Sequence, residues 1–415
     1  MTSTDTFTAP QPQSATTVLV PQPQHTPAVW STIVGQRPTV ELLSRTAATT
    51  ADIAQSWLIC GPAGSGRSNV ARAFAAALEC PNHGCGECST CRHILAGTHP
   101  DVTVLATDKV TIGIDEVRGI IEKSEQMPST TPWRIIIIED VDRMLERTTN
   151  VLLKEIEEPA AHTIWLLCAP SAQDVLPTIR SRTRVVNLAI PSDRAVAEFL
   201  MTSVNPTLPD DKRFTEHVAA RAARLAEGHI GIARLYATNE RVMTDRDTLV
   251  VGVLNLTKAS DAVLLADHLI SDAKAQAEAE IDAQTAREQA DFRRVNGLGE
   301  KDRIPPKIRG AYNAIGKKED VRRRVTRRSR DVLDRGLNSI ASVYRDVAVL
   351  QNDAEGSVGI VNKENRTAIA ELASRLSRQP AIERLEYVAE ARRRLAGNGN
   401  PLLVFEALFC ALIVS

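Results

Sequence analysis

The chain has 415 residues, 43% apolar and 24% charged, with a formal net charge of −1; the length suits about two to four domains. That balance supplies real cores and excludes a global electrostatic attraction to nucleic acid, so any such surface must be a local patch. No apolar run nears the roughly 18 residues of a transmembrane helix, and residues 1–27, rich in Thr, Gln and Pro, have neither the basic start nor the apolar core of a signal peptide.

The expectation is a cytoplasmic protein without membrane partners, with a disordered tail over 1–27 and seven cysteines that stay reduced unless they hold metal. After the tail, Ile33-Val34-Gly35-Gln36 leads into a helical pattern that ends near residue 48. Trp57-Leu58-Ile59-Cys60 is a short apolar run suited to a buried strand, and the alanine-rich residues 70–78 predict a helix. Between them stands Gly61-Pro62-Ala63-Gly64-Ser65-Gly66-Arg67-Ser68, a phosphate-loop pattern with arginine where lysine is expected. In this context Gly61, Gly64 and Gly66 would bring backbone N–H groups and a helix N-terminus to an anion. Ser68 would hold Mg²⁺. A planar guanidinium at Arg67 is not the compact charge a lysine offers between phosphates, so the loop points to nucleotide binding and the substitution questions turnover.

Four cysteines follow as Cys80-x4-Cys85-x2-Cys88-x2-Cys91. Their density and the glycines between them suit a closed, structural Zn²⁺ site; His83, His93 and His99 are nearby spare ligands, and a redox or ligand-free cluster is the alternative. Cys60, Cys168 and Cys410 sit singly in apolar runs and read as core residues. Strands are expected at 102–105, 134–138, 164–167 and 185–188, with helices at 114–126 and 150–158. Short strands alternating with helices imply a parallel α/β sheet with its ligand at the strands' carboxyl ends. Glu139-Asp140, at the end of an isoleucine-rich strand, has the form of an acidic nucleotide motif, one carboxylate for Mg²⁺ and one for the attacking water. From Pro191 onward only helices are expected. Residues 273–318 are very polar, beginning as a charged Ala/Glu/Gln helix and ending in Ile304-Pro305-Pro306, and the arginine run at 322–328 reads as a solvated helix face or a phosphate-contacting patch.

Several of these stretches together resemble the clamp-loader branch of the AAA+ ATPases: Ile33-Val34-Gly35-Gln36, the glycine loop, the cysteine cluster, Leu152-Leu153-Lys154…Glu157-Glu158-Pro159 and Ser181-Arg182. The likeness spans residues 29–190. Gly97-Thr98-His99-Pro100-Asp101 is similar to the delta-prime type of bacterial DNA polymerase III subunit more than to the ATP-hydrolysing gamma/tau type, and Asn398-Gly399-Asn400-Pro401…Phe405-Glu406-Ala407-Leu408 is similar to the end of a clamp-loader collar. The resemblance implies an α/β AAA+ parallel-sheet module over 28–190 with a zinc insertion at 80–91, a helical lid at 191–240, and a helical collar at 241–415 carrying a polar insertion at about 273–318. It implies gamma/tau and delta subunits as partners, with the sliding clamp and primed DNA reached through the complex. It also implies that Arg182 acts in trans as an arginine finger on a neighbour's ATP.

The departures from that family pattern bear on turnover. Arg67 replaces the lysine. Glu139-Asp140 reverses the order found in hydrolysing members, and Ala169-Pro170 stands where they present a polar sensor. Arg182 is intact. The pattern fits a stator that keeps the trans-acting arginine and has no hydrolysis of its own, with ATP or ADP and Mg²⁺ bound or not; an active gamma/tau-like ATPase is the alternative. Leu402, Leu403, Phe405, Leu408 and Phe409 form an apolar helical face expected to dock on partner subunits, with packing inside its own domain as the other reading.

Overall fold

The computed structural model describes residues 27–49, 53–107, 111–299 and 302–414; the expected tail lies outside the described residues except for Pro27. The chain divides into two compact units, residues 1–191 and 192–415.

The first unit is built on strands β1 (Ser56–Cys60), β2 (Val102–Leu105), β3 (Arg134–Ile138), β4 (Thr163–Ala169) and β5 (Arg184–Asn187), with helices α1 (Arg37–Ala48), α2 (Arg67–Glu79), α3 (Ser89–Leu95), α4 (Ile114–Ser124), α5 (Glu146–Glu157) and α6 (Pro177–Arg180). The five strands are parallel, in the order β2-β3-β4-β1-β5. All of β1, β3 and β4 is buried, because helices cover both faces of a parallel sheet; the strands therefore read as continuous apolar runs rather than alternating ones. One face carries a core around Trp57, Phe74 and the alanines of α2, and the other a core around Ile136, Leu152 and Trp165. The alanines let α2 lie close on the sheet, and Phe74 meets Trp57 edge-on at 5.1 Å.

The second unit is entirely helical: α7 (Asp193–Phe199), α8 (Glu216–Leu225), α9 (Ile230–Thr238), α10 (Glu240–Leu254), α11 (Ala259–Val295), α12 (Pro306–Ile315), α13 (Lys318–Gln351), α14 (Glu355–Val358), α15 (Arg366–Arg375), α16 (Arg378–Ala396) and α17 (Pro401–Leu412). The polar stretch at 273–318 is mostly ordered helix. It continues α11 to 37 residues, and α11 packs along the 34-residue α13. The seam on α11 is Ala262, Ala266, Ala273, Ala277 and Ile281, all buried, mostly small residues at helical spacing that carry little hydrophobic signal. Farther out, Arg324 holds Glu288 through two contacts of 2.8 and 3.1 Å, and Arg328 pairs with Glu280. These arginines of the basic run are engaged by the hairpin's own carboxylates.

The apolar face of α17 is largely internal. Phe405, Leu408 and Phe409 are buried in the unit's own core with Leu337, Ile340 and Tyr344, Leu402 is partly covered, and Leu403 alone of the five is exposed. The expected docking face is thus mainly the closure of this core, since five apolar residues within one helix of a small helical unit find burial on their neighbours first. No helix among the described residues is long and apolar enough to cross a membrane.

Candidate functional site

The glycine loop leaves β1 at the carboxyl edge of the sheet and enters α2, as its pattern requires. Gly61 N–H donates to the Ala169 carbonyl at 3.2 Å, tying the loop to the end of β4. A Cβ on Gly61 would lie 2.6 Å from Ser65 Oγ and 2.8 Å from Leu188 Cβ, so only glycine fits. Gly66 caps α2 in the left-handed region, φ 90°. The first amides of α2, through Ser68, are thereby presented at the sheet edge, the general arrangement for receiving an anion.

Arg67 is turned into this site and is held by the chain itself. Its Nη1 donates to the Gly61 carbonyl at 2.9 Å and its Nη2 to Asp140 Oδ1 at 3.1 Å, with only 14% of the side chain exposed. Asp140 sits in the left-handed region at φ 55°, just past β3, and its other oxygen pairs with Arg143 at 3.2 Å. Glu139 is taken by Arg72 at 3.1 Å. Two carboxylates thus face three guanidinium groups, and each expected Mg²⁺ or water ligand already has a cation. The carboxylate positions that would carry the metal of a Mg²⁺–nucleotide are engaged by arginine in this structure. Arg72 and Arg143 had no signal in the sequence, because their partners arrive from β3 and the turn after it.

The four expected metal ligands come together. The sulfurs of Cys80, Cys85, Cys88 and Cys91 all lie within 4.8 Å of one another, and Cys80 Sγ is 3.6 Å from Cys85 Sγ and 3.7 Å from Cys88 Sγ. Bonds of about 2.3 Å in a tetrahedron place sulfurs about 3.8 Å apart, so the cluster fits Zn²⁺. Cys88 N–H points to Cys85 Sγ and Cys91 N–H to Cys88 Sγ, each at 3.4 Å. Burial works against the Cys80 thiolate, yet backbone donors from Cys85, Gly84 and Asn82 bring its pKa down to about 6. None of His83, His93 and His99 joins the cluster; His99 Nδ1 instead accepts from Asp101 N–H at 3.2 Å.

Asp101 is a structural anchor. It is fully buried and accepts from Ser129 and Thr130, through both backbone and hydroxyl donors, at 2.6–2.9 Å, and it pairs with buried Arg134 at 3.3 Å. Burial alone would raise its pKa, but these donors hold it well below the ordinary carboxylate range.

Arg182 lies away from the loop, just beyond α6. Its Nε and Nη2 meet both oxygens of Glu157 at 3.1 and 3.2 Å, and Nη1 donates to the Thr178 carbonyl at 3.1 Å. The structure therefore brings together the loop, Arg67 and the Glu139-Asp140 pair, gathers the four cysteines separately, and leaves Arg182 at the surface.

Residues 35–192 match the family model described as DNA polymerase III, delta subunit. Over 164 residues the chain is 34% identical to the DNA polymerase III subunit delta' of Pseudomonas aeruginosa, covering 38% of this chain and 49% of that protein. It is 34% identical over 147 residues to the subunit delta' of Haemophilus influenzae, covering 34% and 45%, and 30% identical over 165 residues to the subunit gamma/tau of Mycobacterium bovis, covering 39% and 28%. The chain thus spans about half the length of the delta' relatives, or less. A crystal structure of a DNA polymerase III gamma subunit-related protein from Thermotoga maritima aligns over 90% of this chain and 97% of its own, at 17% identity and TM-score 0.41. Residues 35–192 are thus similar to DNA polymerase III delta-type and gamma/tau subunits, the similarity being confined to this part of the chain.

Proposed function

We propose that this chain is a delta-prime-type stator of the bacterial clamp loader. In that role it joins gamma/tau and delta subunits, helps place the sliding clamp on primed DNA, and offers Arg182 to a neighbour's ATP while hydrolysing none itself. The observation that carries the reading is the occupied loop: Arg67 bridges Gly61 and Asp140 inside the site where a nucleotide's charge would be met. The pairing of Glu139 with Arg72 supports it further. An active gamma/tau-like subunit needs a free carboxylate for Mg²⁺ and another for water, and the arginine pairs weigh against both. Zn²⁺ at Cys80, Cys85, Cys88 and Cys91 has a structural role in this reading, since four thiolates close the coordination shell.

The test is steady-state ATP turnover and equilibrium nucleotide binding by the purified chain alone. Turnover indistinguishable from a protein-free control is expected, with at most weak nucleotide binding to the loop amides. Hydrolysis at rates typical of AAA+ motors, abolished by Arg67→Ala, would place the chain with the active ATPases.

A further inference from the structure

We propose that Glu157 is the positioning residue of Arg182: its carboxylate fixes the plane of the guanidinium so that the remaining Nη2 hydrogen stays available to an anionic group of a neighbouring subunit. The proposal rests on the reading of Arg182 as a residue acting in trans.

Each partner stands on a fixed piece of backbone. Glu157 is the last residue of α5, and the residue before it, Ile156, is buried and accepts at its carbonyl from Ser56 Oγ of β1 at 3.1 Å. Just beyond, the Ala160 carbonyl accepts from Gln55 Nε2 at 3.2 Å. On the other side, Ile179 is buried in the core, and Ser181 and Arg182 close the end of α6 through N–H bonds of 3.0 Å to Pro177 and Ile179. Between these anchors the guanidinium is constrained at three points. Its Nε/Nη2 edge is clamped by both Glu157 oxygens, and Nη1 faces the Thr178 carbonyl at 3.1 Å and Ser181 Oγ at 3.3 Å. The second Nη2 hydrogen is left without an acceptor among the described residues.

A long arginine side chain loses much rotamer freedom when it is ordered, so an arginine already oriented gives that freedom up before the neighbour arrives. Burial does not trap the pair, because both side chains keep substantial exposure, 36% and 55%. A solvated ion pair holds its partners only weakly, and a phosphate can compete for the guanidinium. Glu157 therefore confines Arg182 without withholding it.

The experiment uses the complex reconstituted with gamma/tau and delta subunits, clamp and primed DNA. Steady-state turnover is measured across ATP concentrations for wild type, Glu157→Ala, Glu157→Gln, Arg182→Ala and the Glu157→Ala/Arg182→Ala double variant, with melting temperatures as the folding control. Glu157→Ala should lower kcat at the dependent site by up to about 10-fold, well inside the roughly 100-fold that a 1 Å misplacement can cost. KM for ATP should be unchanged, because the interaction is realised in the transition state. Glu157→Gln, which keeps one acceptor, should fall between, and Glu157→Ala should add nothing in the Arg182→Ala background. The proposal is overturned if Glu157→Ala matches wild type while Arg182→Ala is impaired, or if it raises turnover, which would make the carboxylate a restraint. An equal loss in both backgrounds would make Glu157 a structural residue and also overturn it. Wild-type turnover in Arg182→Ala would instead remove the underlying reading of Arg182.

Discussion

At Arg67 one substitution changes what the loop is. A lysine reaches a phosphate as a point charge; a guanidinium is planar, has five donors, and can satisfy two acceptors of its own chain at once. Here those acceptors are the Gly61 carbonyl and Asp140, so the loop is closed by a cation the sequence carries with it. Arg67→Ala should cost about 1–3 kcal/mol, the range for hydrogen bonds to charged groups in a partly buried setting, read by urea denaturation; a change within about 0.5 kcal/mol is what a surface arginine would give. Asp101 is a second residue with a sharp expectation. Asp101→Asn leaves the buried Arg134 without its counter-charge, a loss of about 3–5 kcal/mol. Because the Asp101 carboxyl lies below its unfolded value, its contribution is present above pH ~4 and is lost as pH falls further. The variant should therefore show a smaller loss of stability than wild type between about pH 5 and pH 2 in acid denaturation curves. Arginine at position 67 was legible as a departure in the sequence. Its partner was not, because Asp140 reaches it only through a left-handed turn after β3.

At the scale of elements, the strands were readable because burial on both faces leaves nothing but apolar residues, and the strands expected near 57, 102, 134, 164 and 185 all form. The four cysteines were equally plain, since a metal's geometry is written in ligand type and spacing. The helical character of α11 was readable but its packing along α13 was not: its seam is mostly alanine, and its outer half is held by ion pairs, so the pattern looked like a polar insertion. The cysteine cluster and α17 make contrasting predictions. Metal analysis should find about one zinc per chain, and chelation should loosen the 80–95 region, seen as faster amide exchange there, because a structural zinc site contributes folding energy outright. A metal-free chain with the same exchange pattern would contradict this. In α17, Phe405→Ala should cost about 3–5 kcal/mol as a fully buried aromatic, whereas the exposed Leu403→Glu should leave chemical denaturation nearly unchanged. Similar costs at the two positions would mean that the helix packs another way round.

For the whole molecule, the central claim is a division of labour between two places in one α/β unit. The carboxylates of Glu139 and Asp140 beside the glycine loop are paired with Arg67, Arg72 and Arg143, and Arg182 stands at the surface beyond α6 with Glu157 beside it. If the proposed stator role holds, the chain contributes chemistry only where it meets a neighbour, so its catalytic effect should be absent alone and present in the complex. The measurement that tests this most directly is clamp loading at saturating ATP by complexes reconstituted with wild-type or Arg182→Ala chains, with assembly verified for both. An arginine finger is worth up to ~10³–10⁵ in rate at its own site; since one of several sites depends on it, bulk ATP turnover should fall by a fraction and clamp loading, which needs the sites together, should fall further. Equal loading rates from the two complexes would contradict the account and leave Arg182 an ordinary surface arginine.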